Sequence, residues 1–210
     1  MSLQVIQIIN SPIPSNCFIV FDKEVNNNCL IIDPGSESNE LLENKLNEFE
    51  LIAEYIILTH EHFDHCWGVN QLREKHNVKL ICSADCSEAI QQEKKNMSLF
   101  YNQVGFKIKR ADIIIENINN QVSWNKYTIE SIVTKGHTSA SICIIIEENL
   151  FTGDSLIKGM KIITKLPTGS KEEFIKSIKQ FMNWKGYGFI VYPGHGEIFN
   201  LDNYDVRAML

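Results

Sequence analysis

The chain has 210 residues, 44% of them hydrophobic, which suits one globular domain with a sizeable core. Its formal net charge of −6 and its lack of a basic stripe argue against nucleic acid as a main partner, because nothing is available to displace phosphate counterions. No stretch approaches the ~20 apolar residues of a membrane span, and Met1 to Ile6 enters strand-like sequence without a basic leader, so no membrane partner and a cytoplasmic location are expected.

The first third reads as strands at Leu3 to Ile9, Cys17 to Asp22 and Cys29 to Asp33, with turn chemistry from Asn26-Asn27-Asn28 between the last two. Pro34-Gly35-Ser36 breaks the pattern, and Leu41, Leu42, Leu46 and Phe49 then recur at roughly helical spacing. The apolar run Tyr55-Ile56-Ile57-Leu58-Thr59 predicts a buried strand, and it delivers His60-Glu61-His62-Phe63-Asp64-His65 onto the turn beyond its end. A helix with Val69 and Leu72 inward and a short strand from Val78 to Cys82 follow. Residues 85–110 are the least regular part, a polar helix and a loop through Asn96 to Gly105, where a substrate-covering insertion has room.

The second half returns to strands at Asp112 to Glu116, Tyr127 to Val133, Ser141 to Glu147, Leu150 to Thr152 and Gly188 to Tyr192. Between the last two, Ser170-Lys171-Glu172-Glu173 is a capping box. It opens a helix with Phe174, Ile178, Phe181 and Met182 on one face. Strands in both halves with few helices predict an α+β chain of two packed sheets flanked by helices. No Pro/Gly/Ser-rich linker divides it, so residues 1–210 are expected to form a single domain built from two halves.

Three histidines in the six residues from His60 to His65 are costly to bury unless they meet partners, and a metal ion is the economical partner. Neutral imidazole and carboxylate oxygen are natural ligands of zinc or iron. Two more histidines stand at matching strand-to-loop junctions, His137 in Gly136-His137-Thr138 and His195 in Pro193-Gly194-His195-Gly196, while Asp154 in Gly153-Asp154-Ser155 marks a third. His76 reads as an ordinary surface residue. A closed structural zinc site is disfavoured, since such sites are rich in cysteine. The six cysteines are scattered without a CxxC pair and read as free, mostly buried thiols, of which Cys66 adjoins the motif. A zincin reading of His60-Glu61 fails because Asp64, not histidine, stands four residues beyond His60. That leaves Glu61 as a surface residue or a support to the ligands. Asp33 is either a ligand-supporting carboxylate or a turn-forming residue before Pro34-Gly35.

Taken in order from Ile31-Ile32-Asp33-Pro34-Gly35 through Thr59 to His65, Gly136-His137-Thr138, Gly153-Asp154 and Pro193-Gly194-His195-Gly196, the chain resembles the metallo-β-lactamase-fold hydrolases, and among them the short, single-domain glyoxalase II-like branch. The resemblance implies a four-layered αββα sandwich. It implies a first metal on His60, His62 and His137, a second on Asp64, His65 and His195, and Asp154 bridging the two. Two divalent ions, zinc foremost with iron or manganese as alternatives, would share a water and lower its pKa towards ~7. Asp64 and Asp154 are then the catalytic carboxylates, Asp64 orienting the attacking hydroxide as well as binding metal.

The chain ends fifteen residues past His195, so the helical C-terminal glutathione-binding domain of long glyoxalase II enzymes is not expected. Where short relatives read Gly-Arg-Thr-Asp-Leu-Pro, this chain has Ile162-Ile163-Thr164-Lys165-Leu166-Pro167, which leaves the substrate-binding residues and the substrate open. Lys158, Lys161 and Lys165 either meet an anionic substrate or are solvated. Phe100, Tyr101, Phe106 and Tyr192 either line a pocket or pack. The function implied is hydrolysis of a small-molecule thioester such as a hydroxyacylglutathione. The alternatives are a persulfide dioxygenase-like enzyme with one iron on His60, His137 and Asp154, or a lactonase. The oligomeric state is not set by the sequence.

Overall fold

The computed structural model describes residues 3–115 and 120–210. Over these the chain builds two six-stranded sheets and divides into two compact units, one reaching to Ile114 and one beginning at Ile115.

In the first unit β1 (Gln4–Ile9), β2 (Asn16–Phe21) and β3 (Asn28–Ile32) form an antiparallel meander. After α1 (Glu40–Glu48), β4 (Ile52–Ile57) lies parallel to β3. After α2 (Phe63–Cys66) and α3 (Val69–Lys75), β5 (Lys79–Ser83) lies parallel to β4. Parallel neighbours need a crossover, and these helices supply both. Helices α4 (Ala84–Ala89) and α5 (Ser98–Asn102) precede β6 (Ile113–Ile115), and the sheet order is β1-β2-β3-β4-β5-β6. Strand β2 is buried along its whole length, and Ile31, Ile56 and Ile57 have no exposed surface. Central strands covered on both faces read as unbroken apolar runs, which is why periodicity 2 is absent there.

Helix α1 buries Leu42 and Leu46, one turn apart, while Leu41 points away and is exposed. From the same helix Glu43 takes Lys75 Nζ and His76 Nε2 of the α3 end, each at 2.9 Å. His76 is therefore a half-buried partner in a charge cluster rather than a plain surface residue. Burial pushes the Glu43 carboxyl up, but Lys75 and His76 outweigh it and hold its pKa below the ordinary value. A carboxyl with a lowered folded pKa contributes stability above its unfolded value, and loses it as pH falls through the folded one. Glu43→Gln is expected to cost about 0.5 kcal/mol at pH 7. The difference in urea midpoint from the parent should shrink as pH is taken below ~4.3.

In the second unit β7 (Asn120–Trp124) and β8 (Tyr127–Val133) form a hairpin whose turn residue Asn125 sits at φ 54°. Strands β9 (Ile142–Ile146) and β10 (Asn149–Gly153) continue antiparallel. Helix α6 (Lys171–Asn183) then crosses to β11 (Ile190–Pro193), parallel to β10, and β12 (Phe199–Asn200) closes the order β12-β11-β10-β9-β8-β7. Ser170 Oγ accepts the Glu173 N–H at 3.3 Å, so the cap forms as the sequence indicates. From α6, Phe174, Ile178 and Phe181 pack on Leu150, Leu156 and Val191, and each buried side chain contributes roughly 1.5–3 kcal/mol.

The expected strands are present with ends within two residues, except that β4 begins three residues before the expected Tyr55, and the α+β class holds. Glu116, the last residue of the strand expected from Asp112, lies outside the described residues. Two strands were not anticipated. Strand β7 mixes Asn, Gln, Val, Ser and Trp without apolar alternation, and β12 is only two residues long. Among the described residues no helix is long and apolar enough to cross a membrane.

Candidate metal centre

Because β3 and β4 are parallel neighbours, their C-terminal ends lie side by side, and Asp33 just past β3 meets Thr59 and His60 just past β4. Asp33 Oδ1 accepts the Thr59 N–H at 2.8 Å, and its Oδ2 accepts the Thr59 hydroxyl at 2.6 Å. The same Oδ2 lies 3.1 Å from His65 Nδ1, and Thr59 Oγ1 lies 3.0 Å from His60 Nδ1. Proton counting settles the directions. A carboxylate only accepts, so His65 Nδ1 donates to it. The threonine has one hydroxyl proton, given to Asp33, so its oxygen accepts from His60 Nδ1. Both neutral imidazoles then carry their ring lone pair on Nε2, the tautomer that binds metal.

The buried rings of His62 and His65 stand 4.9 and 4.3 Å from that of His60, centroid to centroid. Asp33, His60 and His65 present donor atoms all within 4.8 Å of one another. Asp64 Oδ2 is 3.7 Å from His65 Nε2.

The turn carrying these groups is held from behind. Asp33 sits at φ 53°, a strained value that asparagine and aspartate tolerate best. A Cβ on Gly35 would fall 1.6 Å from the Asp64 carbonyl oxygen, so the backbones touch at a point only glycine allows. Ser15 Oγ donates to the same carbonyl, and Asn10 Nδ2 donates to Ser15 Oγ at 2.8 Å and to the Asp33 carbonyl at 3.1 Å. Phe63 N–H donates to the Asn96 carbonyl at 2.8 Å. Asn10, Ser15 and Asn96 carry no motif that marks them; their role comes from buried polar contact alone.

Glu61 is buried, which removes the surface reading of it. Cys66 is buried too, its Sγ 3.3 Å from the Glu61 carbonyl. Burial pushes its thiol pKa well up, helped by Asp64, Asp33 and Glu61, so it is no nucleophile. All six cysteines are free and buried, as expected.

In the second unit β8 and β10 are each antiparallel to β9, and β11 is parallel to β10. The three strands therefore end at one edge, and His137, Asp154 and His195 follow those three ends. Gly136 turns at φ 146° with its Cα facing the Phe174 backbone at 2.5 Å from where a Cβ would stand. Gly194 N–H donates to the Gly153 carbonyl at 2.8 Å, pinning the last two loops together. Asp154 Oδ2 lies 3.5 Å from His137 Nε2 and 3.6 Å from His195 Nε2. His137 Nδ1 is 2.9 Å from the Ile163 carbonyl, which can only accept, so this imidazole too has its lone pair on Nε2 when neutral.

The carboxylate–imidazole separations exceed ordinary hydrogen bonds. Two donors on one tetrahedral ion at ~2.0–2.1 Å stand about 3.4 Å apart, so Asp154 fits as a ligand alongside each histidine. Donor chemistry, burial and tautomers all suit a divalent ion.

Of the other residues singled out, Lys158 is engaged by Glu197 at 2.6 Å, while Lys161 and Lys165 are exposed. Tyr192 stacks on Phe151 at 4.8 Å, and Phe106 stacks on Trp67 at 5.5 Å. Tyr101 stacks on Phe63 of the histidine motif at 4.8 Å.

A protein-family model described as the metallo-beta-lactamase superfamily matches residues 10–195. The chain is 26% identical over 187 residues to a protein described as "Probable metallo-hydrolase YqgX" of Bacillus subtilis, covering 88% of this chain and 86% of that one. It is 26% identical over 198 residues to the hydroxyacylglutathione hydrolase GloC of Haemophilus influenzae, covering 93% and 91%. Its structure is similar to the crystal structure of BLEG-1 B3 metallo-beta-lactamase, with a TM-score of 0.86, 25% identity and 94% of each chain covered. The fold is thus of the α+β metallo-β-lactamase type that the motif order implied. Since the match runs from Asn10 to His195 and takes in the histidine cluster and each glycine-flanked ligand candidate, the chain belongs to the metallo-beta-lactamase superfamily.

Proposed function

We propose that the protein is a metal-dependent hydrolase of small acyl-thiols, acting as one catalytic domain over residues 1–210. In this reading His60, His62 and His137 hold one divalent ion, Asp64, His65 and His195 hold a second, and Asp154 is shared. Zinc is the first candidate, with iron and manganese next. The observation that carries the reading is Asp154 Oδ2, set almost equally from His137 Nε2 and His195 Nε2 at 3.5 and 3.6 Å. That is the geometry of one carboxylate oxygen serving alongside two imidazole ligands. The acyl-thiol substrate is supported by the likeness to a hydroxyacylglutathione hydrolase over most of both chains.

Two bound divalent ions supply an acidified water at neutral pH and polarise an acyl carbonyl. The chain's own groups do the rest. Asp33 fixes His65 directly and His60 through Thr59, and the Ile163 carbonyl fixes His137, so none of these three imidazoles must turn or change tautomer to bind. Asp64 orients the attacking water through its carboxylate. Water adds to the carbonyl, the carbon–sulfur bond breaks, and a carboxylic acid and a thiol leave. The thiols of this chain, all buried, take no part.

The test is elemental analysis of protein purified without added metal, followed by thiol release from acylglutathione and acyl-N-acetylcysteamine thioesters. Near two ions per chain and thioester cleavage that is lost to a chelator and restored by zinc are expected. Near one iron with oxygen uptake on a persulfide, or cleavage of lactones alone, overturns the thioesterase reading in favour of the dioxygenase or lactonase.

A further inference from the structure

We infer that Tyr101, with Phe63 and Phe100, forms an aromatic ledge that selects thioesters bearing a flat aromatic acyl group; the inference rests on the reading of the protein as an acyl-thiol hydrolase. Phe63 lies between His62 and Asp64 in the ligand motif, so its Cα is one residue, ~3.8 Å, from each. Its ring stacks on Tyr101 at 4.8 Å and 28°, and Trp67 stacks on Phe106 at 5.5 Å and 23°. Edge-on contacts join the two stacks, Phe63 to Trp67 at 5.7 Å and Trp67 to Tyr101 at 5.6 Å. The inner rings are half-buried, but Tyr101 is 43% exposed and Phe100 beside it 64% exposed. An aromatic array that starts inside a metal-ligand motif and ends in open π-faces has a further ring as its natural complement.

The segment presenting these rings is built rather than loose. Buried Asn96 donates to the Phe106 carbonyl at 2.8 Å, and its Oδ1 accepts from the Ser98 N–H at 3.0 Å and the Ser98 hydroxyl at 2.6 Å. Ser98 Oγ in turn accepts the Phe106 N–H at 2.9 Å. The five-residue helix α5 is flanked by Met97 at φ 67° and Gln103 at φ 63°, two strained non-glycine residues. Strain held by a buried hydrogen-bond network marks a segment whose shape is used. Nothing in the core needs Phe100 or the outer face of Tyr101.

Metal-loaded protein should be assayed on 3-phenylpropionyl and 3-cyclohexylpropionyl thioesters of N-acetylcysteamine, which match in bulk and differ in the π-face. The parent is expected to prefer the phenyl ester. Tyr101→Leu should reduce that preference roughly 3- to 10-fold, through KM, and Tyr101→Phe should keep it. An unchanged preference in Tyr101→Leu, or an equal loss in Tyr101→Phe, overturns the ledge. Fluorescence titration with the inert thioether S-(3-phenylpropyl)-N-acetylcysteamine, read as the change in tryptophan emission to which Trp67 contributes, separates the two readings. If no thioester is cleaved, the hydrolase assignment fails. The ledge then stands if Tyr101→Leu binds the thioether more weakly than the parent and Tyr101→Phe, and falls if the three bind alike or not at all.

Discussion

Replacing Asp154 with alanine is expected to leave the purified protein with at most one metal ion per chain and to lower thioester hydrolysis about 10³-fold or more. One carboxylate oxygen of Asp154 stands 3.5 Å from His137 Nε2 and 3.6 Å from His195 Nε2. Without it both histidines keep their places, since His137 is held through the Ile163 carbonyl and the loops at Gly153 and Gly194 are joined backbone to backbone. The metal-free variant should therefore unfold at nearly the same temperature as the metal-free parent. Loss of metal with an intact fold separates a ligand from a structural residue. Full metal content and full activity in this variant would refute the shared-ligand role.

The second large effect is expected from Gly35→Ala. Its added methyl would start 1.6 Å from the Asp64 carbonyl oxygen, where ordinary contact needs more than 3 Å. Neither side can yield cheaply, because the obstacle is backbone and Asp64 O is also the acceptor for Ser15. The loop after β3 must move away from the histidine turn, which should cost about 2–3 kcal/mol of stability. Asp64 and His65 move with the turn, so metal affinity is expected to fall roughly 10- to 100-fold, as for loss of a ligand's support. Urea unfolding of the metal-free protein and competition with a zinc chelator read the two effects separately. Gly35 is a steric case only, whereas Gly136 combines a crowded site with φ 146°. Wild-type stability and affinity in Gly35→Ala would show that the two backbones do not meet.

Much of this protein is legible along the chain. The apolar run ending at Thr59 announces a buried strand, and three imidazoles and a carboxylate directly after it announce a metal turn, because both signals depend on neighbouring residues. Ser170 and Glu173 likewise announce the start of α6, a local cap three residues long. Strand β7 was illegible because its residues carry no such local signal. Its polar residues Gln121 and Ser123 break any apolar alternation, and its strand state comes from the hairpin pairing with β8.

The candidate ligand set is thus legible in the sequence, since the resemblance carried by the motif order proposes His60, His62, Asp64, His65, His137, Asp154 and His195 as donors. How the donors are aimed is decided by tertiary structure. Asp33 stands 26 residues from Thr59 and 32 from His65, and His137 stands 26 from Ile163. These contacts exist because parallel pairing sets the ends of β3 and β4 side by side, and because the loop before α6 folds back over the end of β8. The adjacency of β3 and β4 also presses Gly35 against Asp64. A one-dimensional pattern records which chemistry is available; proton positions, lone-pair directions and backbone approach follow only from which distant residues become neighbours.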